Sequence, residues 1–374
     1  MEPDPAARGA GCSRMLSVQV TRDDILRYRV RAQQLDGSAS GAEAAVLDLG
    51  VQDTGPDGAP WALELRGDRP DEDDLVLAWT LRGAPHFYRR TEVAKVAAAV
   101  APWSEADAAK RIFDASRPLR EAGIPILEAL DVIATEMREI VTRPTAKGEL
   151  SRELTSRLDP PYLRFCRVCD ATHAYEQPFR LSLLRAGLEL EPGTSPPVAR
   201  RIPGWRGPAA RVPEHLDPVR AVLHLLGPAT PKQVAAYVDS PVREVAAHWP
   251  EDLETVEVEG ERRSMLAGDV PALAGGEPVD GVRLLGPFDL FLQGRDRETV
   301  VPDEAARKDL WRTLGRPGGL LDGHEVVGTW RPRSSGTRLR LAVTVWSGAD
   351  RPAGTDDAAE RLAAFRGQAF AGYV

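Results

Sequence analysis

Three consecutive polar residues, Gln52, Asp53 and Thr54, lie between an apolar segment and the turn sequence Gly-Pro-Asp-Gly at 55–58. If this segment is extended, Gln52 and Thr54 share one face and Asp53 takes the other, because successive side chains of a strand alternate. An amide and a hydroxyl on one face can hold a water molecule between them. A simpler interpretation is ordinary turn chemistry, in which Asp53 or Thr54 bonds the backbone before Gly55, and the residues alone favour it.

A second chemical set consists of Cys166, Cys169 and His173. Their spacing predicts one face of a helix, where zinc ligands would have to lie. Structural zinc needs four ligands, and the nearby sequence offers no fourth. Buried cysteines and a hydrogen-bonded core histidine explain the pattern more simply, so we predict no metal ion and no other cofactor.

Familiar catalytic motifs are absent from the sequence. It has no phosphate-binding Walker loop, no GxGxxG fingerprint, no GxSxG elbow and no HExxH motif. These absences argue against a nucleotide hydrolase, a dehydrogenase, a serine hydrolase and a zinc protease.

The composition is that of a globular protein: of 374 residues, 43% are hydrophobic and 28% are charged. The net charge of −8 does not by itself indicate a nucleic-acid partner. Two segments, 196–212 and 331–340, nevertheless contain four arginines each and no acidic residue. They are either two solvated loops or parts of one basic face.

No run of 18 apolar residues indicates a membrane span, and we predict no membrane partner. Residues 1–14 lack the apolar run of a secretory signal and are predicted to form a flexible tail. Three cysteines are too few for a disulfide framework, which favours a reducing compartment, the cytoplasm. We expect a monomer.

Local signals predict a mixed α+β chain. Thr21 is a good N-cap for a helix over 21–35, and residues 75–82 resemble a strand. The region 217–267 has three capped helices followed by a polar–apolar hairpin, which is the order of a winged helix. From residue 282 onward, short Val-, Leu- and Trp-rich segments predict a small β-barrel.

The predicted organisation has five parts. They are a tail (1–14), a first winged-helix region containing the Gln-x-Thr motif (15–140), a second winged-helix-like region with a linker (141–212), a third winged helix (213–275) and a β-barrel with a C-terminal helix (276–374). Winged helices bind DNA often but also serve as protein-docking modules.

Segments spread over 16–366 resemble the AlkZ/YcaQ-like winged-helix DNA glycosylases of bacteria. They include TRDDILRYRVRAQQL, LDLGVQDTG, WTLRGAPH, LGPATPKQVAAYV, LLGPFDLFLQGRDR, VVGTWRPR and AAERLAAF. The resemblance implies tandem winged helices followed by a β-barrel, enclosing a concave channel for double-stranded DNA. It also implies excision of alkylated purines.

The resemblance assigns roles to particular residues. The family's catalytic signature is Gln, an apolar residue, then Gln or Asp; Gln52 matches, whereas Asp53 and Thr54 occupy the second and third positions and depart from it. His86 lies where the family often has a histidine, and is expected to contact the DNA strand or to support the channel. Phosphate contacts are expected from Arg82, Arg295, Arg297, Arg331 and Arg333.

The expected function is hydrolysis of the N-glycosidic bond of an alkylated purine by a water molecule that Gln52 positions, in a cytoplasmic, nucleoid-associated protein. A non-catalytic DNA-binding protein, for damage recognition or transcription regulation, is the alternative, and the altered motif favours it. A protein-docking scaffold is the third interpretation.

Overall fold

A computed structural model describes residues 18–55, 57–274 and 277–374, and the predicted tail at 1–14 lies outside them. The described chain is a mixed α+β protein. Its helices are α1 (Arg22–Ala32), α2 (Gly58–Glu64), α3 (Val93–Ala99), α4 (Glu105–Arg111), α5 (Ser116–Glu121), α6 (Ile126–Ile140), α7 (Lys147–Arg157), α8 (Glu176–Arg185), α9 (Pro218–Leu226), α10 (Pro231–Val238), α11 (Val242–Ala247), α12 (Val270–Ala274), α13 (Arg297–Val300), α14 (Glu304–Leu310) and α15 (Thr355–Phe365).

The strands form four sheets. They are β1 (Val18–Val20), β2 (Val51–Gln52), β3 (Leu75–Trp79), β4 (Pro85–Arg89), β5 (Thr145–Ala146), β6 (Leu163–Cys166), β7 (Ala171–Ala174), β8 (Leu188–Leu190), β9 (Val198–Arg201), β10 (Leu253–Val258), β11 (Glu261–Leu266), β12 (Val282–Leu285), β13 (Gly318–Asp322), β14 (Glu325–Ser335), β15 (Arg338–Val345) and β16 (Ala369–Tyr373). No helix in the described ranges is both long and apolar enough to cross a bilayer.

Helix α1 begins as its sequence predicts. The Thr21 side chain accepts a hydrogen bond from the Asp24 backbone N–H, and the Asp24 carboxylate accepts one from the Thr21 backbone N–H in return, a capping box. Leu26 and Val30, four residues apart, pack with the C-terminal sheet. Ile25, on another side of the helix, packs with the sheet that contains β1. Helix α1 therefore joins the two regions.

The central sheet has six strands in the order β2-β4-β3-β8-β9-β5. It brings together strands from both sides of the predicted boundary at residue 141, so the first two predicted regions share one sheet. The division of the chain into domains stays a prediction. Strand β2 is an edge strand of only two residues, and it ends at Gln52.

Helices α9, α10 and α11 are followed by the antiparallel hairpin of β10 and β11, in the order predicted for 217–267. A third strand, β1 from the N-terminal end of the described chain, pairs in parallel with β10. The sequence did not predict this strand.

The C-terminal sheet has the strand order β12-β13-β14-β15-β16, and its two edge strands are not paired with each other in the described residues. The prediction of a closed barrel is therefore corrected to an open, curled half-barrel. Helix α15 contacts both edge strands and covers the opening. The indole N–H groups of Trp61 and Trp330 donate to carbonyls of β12, at 2.7 and 2.9 Å.

Cys166, Cys169 and His173 do not share a helix, so that prediction was wrong. They lie on the two-stranded hairpin of β6 and β7, with Cys169 in the turn. Cys166 is partly exposed and Cys169 is exposed, so they are not the buried cysteines that the simpler interpretation required.

Candidate active site

Gln52 ends strand β2 directly opposite His86 of β4. Its side chain is half-buried, and its Nε2 donates to the Thr54 hydroxyl at 3.0 Å. The predicted alternation is confirmed, because Gln52 and Thr54 meet on one face. The two side chains bond each other directly.

Asp53 faces the other way and caps helix α2. Its carboxylate accepts a hydrogen bond from the Ala59 N–H at 3.0 Å. Burial raises the pKa of the Asp53 carboxyl, while the bond from Ala59 opposes the rise. A side chain at Gly58 would place its Cβ 2.0 Å from Asp53 Oδ1, so the glycine allows this close contact. Asp53 therefore bonds the backbone as the turn interpretation expected, but beyond Gly55, at the first turn of helix α2, and its carboxylate does not join Gln52.

Arg82 orients the amide of Gln52. Its guanidinium donates to Gln52 Oε1 at 3.2 Å, to Gln293 Oε1 at 2.9 Å and to the Tyr237 carbonyl at 2.8 Å. It also lies 4.6 Å from the centre of the Tyr237 ring. The Arg82 backbone has a φ of 59°, the left-handed region that non-glycine residues seldom occupy, and such strain often accompanies function. Arg82 thus links three distant parts of the chain at the motif.

His86 is fully buried. Its Nδ1 lies 2.9 Å from the Ala84 carbonyl and 3.0 Å from the Thr80 hydroxyl, whereas its Nε2 has no hydrogen-bond partner. Burial, with the Arg82 charge, lowers the pKa of His86 to about 3, so the ring is neutral at physiological pH. Full burial favours the supporting role expected of His86 over contact with a DNA strand, and the role of His86 stays a prediction.

Two buried ion pairs fix the segment 289–296 beside the motif. Asp289 accepts two hydrogen bonds from Arg66, at 2.9 and 3.0 Å, and also caps the Phe291 N–H. Asp296 accepts two from Arg29, at 3.1 and 2.7 Å. Both acidic side chains are therefore neutralised inside the protein. The segment between them carries Gln293, which bonds Arg82, and Arg295.

Arg295 and Arg316 add two cations near Arg82. Burial, together with the charges of neighbouring arginines, lowers the pKa of each to about 10. No carboxylate of the described residues forms an ion pair with these three side chains. Arg295 lies 5.9 Å from the Tyr237 ring centre, and Arg316 lies 5.0 Å from that of Phe288. Asp239 offsets part of the charge of Arg82 and Arg295 without bonding either, and the excess of positive charge that remains favours an anionic ligand.

Arg297 has a different setting. Its guanidinium lies 5.1 Å from the centre of the Trp311 ring. The adjoining groove is also lined by carboxylates, among them Glu298 and Glu304. The mixed charge of this groove makes the surroundings of Arg297 less favourable for an anion than those of Arg295.

A second basic surface lies on the hairpin of β14 and β15. Its register pairs Arg333 with Arg340, Ser335 with Arg338 and Arg331 with Ala342. Because directly paired residues of an antiparallel hairpin share a face, Arg331, Arg333, Arg338 and Arg340 lie on one face. Leu339 and Leu341 are buried on the other. The basic segment 331–340 is thus a single surface, here called the arginine hairpin.

The basic segment 196–212 is different, because two of its four arginines bond other groups of the protein. Arg200 pairs with Glu189 at 3.0 Å, and Arg201 donates to the Val141 and Arg138 carbonyls at 2.7 Å each. Only part of this segment is left for an anionic partner.

The family model described as DNA glycosylase AlkZ-like matches residues 46–365. The chain belongs to the AlkZ-like family of DNA glycosylases. A solved structure, the Streptomyces sahachiroi DNA glycosylase AlkZ, superposes with a TM-score of 0.69 at 19% identity, over 96% of this chain and all of that chain. At that identity the likeness shows the fold. Comparison with curated proteins finds no match.

DNA is the partner that membership of the AlkZ-like family indicates. Sequence reasoning missed three residues around the motif: Tyr237, Gln293 and Arg316. Tyr237 and Gln293 lie in segments that carried the family resemblance, which was the available signal. Arg316 lies in a loop before β13 and has no motif around it.

Proposed function

We propose that this protein is a DNA glycosylase that hydrolyses the N-glycosidic bond of an alkylated purine in double-stranded DNA. The observation that carries the proposal is the position of Gln52, which is half-exposed and held by Thr54 and Arg82, with two further cations, Arg295 and Arg316, near Arg82. No described carboxylate bonds Gln52 or Thr54. The chemistry must therefore run on neutral hydrogen-bonding groups.

Gln52 has the free hydrogen-bonding capacity that a water molecule needs. An amide oxygen accepts two hydrogen bonds and an amide nitrogen donates two. Arg82 uses one acceptor site of Oε1, and Thr54 uses one N–H of Nε2. One acceptor site and one N–H are left for water. Because both ends of the amide are held, the water position would be set before DNA binds.

The reaction suits a site in which no carboxylate of the described chain bonds Gln52 or Thr54. A purine alkylated at N7 is cationic, so breaking the bond between C1′ and the base nitrogen leaves the electron pair on that nitrogen and neutralises the base. The water oxygen bonds to C1′, and its proton passes to solvent. The leaving group needs no acid, so the remaining demands are a positioned water molecule and stabilisation of an oxocarbenium-like sugar, which other glycoside hydrolysis shares. Thr54 can bond this water but cannot act as a general base as an aspartate could.

We assign phosphate binding to Arg82, Arg295 and Arg316 near Gln52, and to Arg331 and Arg333 of the arginine hairpin. Arg297 is a minor contact. Phosphates would neutralise these side chains and so offset their repulsion of a cationic base. We also propose that α9–α11 with β10 and β11 form a winged helix, one of a tandem set, and that the protein acts as a monomer at the nucleoid.

The test is release of N7-methylguanine from duplex DNA by the wild type and by Gln52→Ala. We expect release by the wild type and a fall of about a hundredfold in the variant, corresponding to loss of water positioning worth roughly 2.7 kcal/mol. Equal rates would remove Gln52 from the mechanism. Gln52→Glu is a useful companion because its carboxylate keeps the size and restores a base.

A non-catalytic DNA-binding protein is the second candidate. Thr54 in place of Gln or Asp, and Asp53 held in a helix cap, favour it. In that case the wild type binds DNA with an affinity that falls as salt rises, and no base is released. Measuring both the DNA affinity at several salt concentrations and the release of the base therefore distinguishes the two candidates.

A further inference from the structure

The hairpin of β6 and β7 brings together three side chains that the proposed glycosylase chemistry does not use. The ligand atoms of Cys166, Cys169 and His173 all lie within 4.8 Å of one another. Cys166 ends β6, His173 lies in β7, and Cys169 lies in the turn between them. Asp170, with a left-handed φ of 49°, closes that turn.

The sulfur of Cys166 accepts hydrogen bonds from the backbone of the adjoining turn. The N–H groups of Val168 and Cys169 donate to it, and His173 approaches from the other strand. These groups converge on the Cys166 sulfur from the turn and from the opposite strand. Thiolate is the form of cysteine that binds a metal ion.

The backbone also fixes the histidine. His173 Nδ1 lies 2.8 Å from the Ala174 carbonyl, which places a proton on Nδ1 and leaves Nε2 as the nitrogen for a metal ion, which it binds once it has lost any proton shared with Cys166. Metal-binding histidines commonly hold one nitrogen on a backbone carbonyl in this way, because the bond sets both tautomer and ring orientation.

We propose that Cys166, Cys169 and His173 bind one Zn²⁺ ion. Two thiolates and an imidazole suit this borderline-soft metal, and tetrahedral Zn–S and Zn–N bonds of about 2.3 and 2.1 Å fit a cluster of this size. No fourth His, Cys, Asp or Glu of the described chain joins the cluster. Water fills the fourth position, which makes the site open and its metal exchangeable.

Zinc would also hold the hairpin in shape. Its strands are only four residues each, and it displays Phe165 and Val168 to solvent, 61% and 95% exposed. A two-stranded hairpin is marginally stable alone. A metal ion bound by both strands and the turn would stabilise the hairpin, which is held by little side-chain packing.

The test uses the full-length chain, reduced and freed of metal. Zn²⁺ is titrated in competition with a chromophoric chelator, and Co²⁺ is added separately to observe sulfur-to-cobalt charge transfer and the visible bands of tetrahedral cobalt. We expect one equivalent of Zn²⁺ and a charge-transfer band. Cys166→Ser and Cys169→Ser each weaken the band, and His173→Ala weakens zinc binding by more than about tenfold.

Cys12→Ser is the matched control, because Cys12 is the remaining cysteine of the chain, and it should bind zinc like the wild type. Circular dichroism and thermal melts establish that each variant is folded. The proposal is overturned if the reduced wild type binds no zinc, if Co²⁺ binds without charge transfer, or if Cys166→Ser binds as the wild type does. A Cys166–Cys169 disulfide whose reduction creates no zinc binding overturns it as well.

Discussion

Replacing Arg82 with lysine separates the two roles proposed for it, which are to orient the Gln52 amide and to bind a DNA phosphate. The guanidinium makes three polar contacts, to Gln52, Gln293 and the Tyr237 carbonyl, at 3.2, 2.9 and 2.8 Å. A lysine ammonium keeps the charge but cannot spread its donors over three partners in different directions. We expect it to keep one of the stronger contacts and to lose the bond to Gln52.

The size of the effect follows from that lost bond. A hydrogen bond to a charged group contributes about 1.5–3 kcal/mol, and the 3.2 Å separation places this bond at the lower end. If it serves to orient the amide, about 1.5 kcal/mol appears in the chemical step, which is roughly a tenfold lower excision rate. DNA affinity should change little, because the positive charge is retained.

The assay is single-turnover excision of N7-methylguanine at saturating protein, with DNA affinity measured at several salt concentrations. Arg333→Lys, an exposed arginine on the arginine hairpin, is the control, and its excision rate at saturation should equal that of the wild type. An Arg82→Lys variant that excises at the wild-type rate would refute the orienting role of Arg82. Equal losses in the two variants would refute it also.

Three further results are expected. Arg295→Ala and Arg316→Ala should each weaken DNA binding and reduce the slope of log affinity against log salt by about one, measured by fluorescence anisotropy; unchanged slopes would contradict phosphate contact. Asp289→Ala should lower the free energy of unfolding by about 3–5 kcal/mol in urea titrations, because it leaves the Arg66 guanidinium buried without its partner; a loss under 1 kcal/mol would contradict this. His86 binds a proton in the unfolded chain below about pH 6.5 but in the folded protein only near pH 3. As pH falls between these values, the free energy of unfolding of the wild type should therefore decrease by up to about 1.4 kcal/mol per pH unit. His86→Asn should lose less over the same range, in unfolding curves recorded from pH 7 to pH 4.

Local signals predicted local structure well. The N-cap predicted at Thr21 begins helix α1, and the three capped helices predicted for 217–267 are α9, α10 and α11. Strand alternation also predicted that Gln52 and Thr54 share a face. Each of these depends on residues within three positions of one another.

Features that depend on distant contacts were not predictable in the same way. The spacing of Cys166, Cys169 and His173 fits a helix face, but it equally fits a hairpin whose turn returns the chain, and only the tertiary structure decides. The burial of His86 depends on its position in the middle of a sheet. Arg66 and Asp289 are 223 residues apart, and neither residue carries a local signal of its partner.

The parallel pairing of β1 with β10 has a consequence for how the chain is made. Val18 pairs with Val256, so the ribosome must add more than two hundred residues before the partner strand exists. At about 5–20 residues per second, the N-terminal segment waits on the order of ten to fifty seconds without its sheet. Once translated, β10 has an open edge until β1 arrives, and open edges invite pairing with other chains. Crowding of nascent chains on one messenger therefore threatens this protein most at that late step of synthesis.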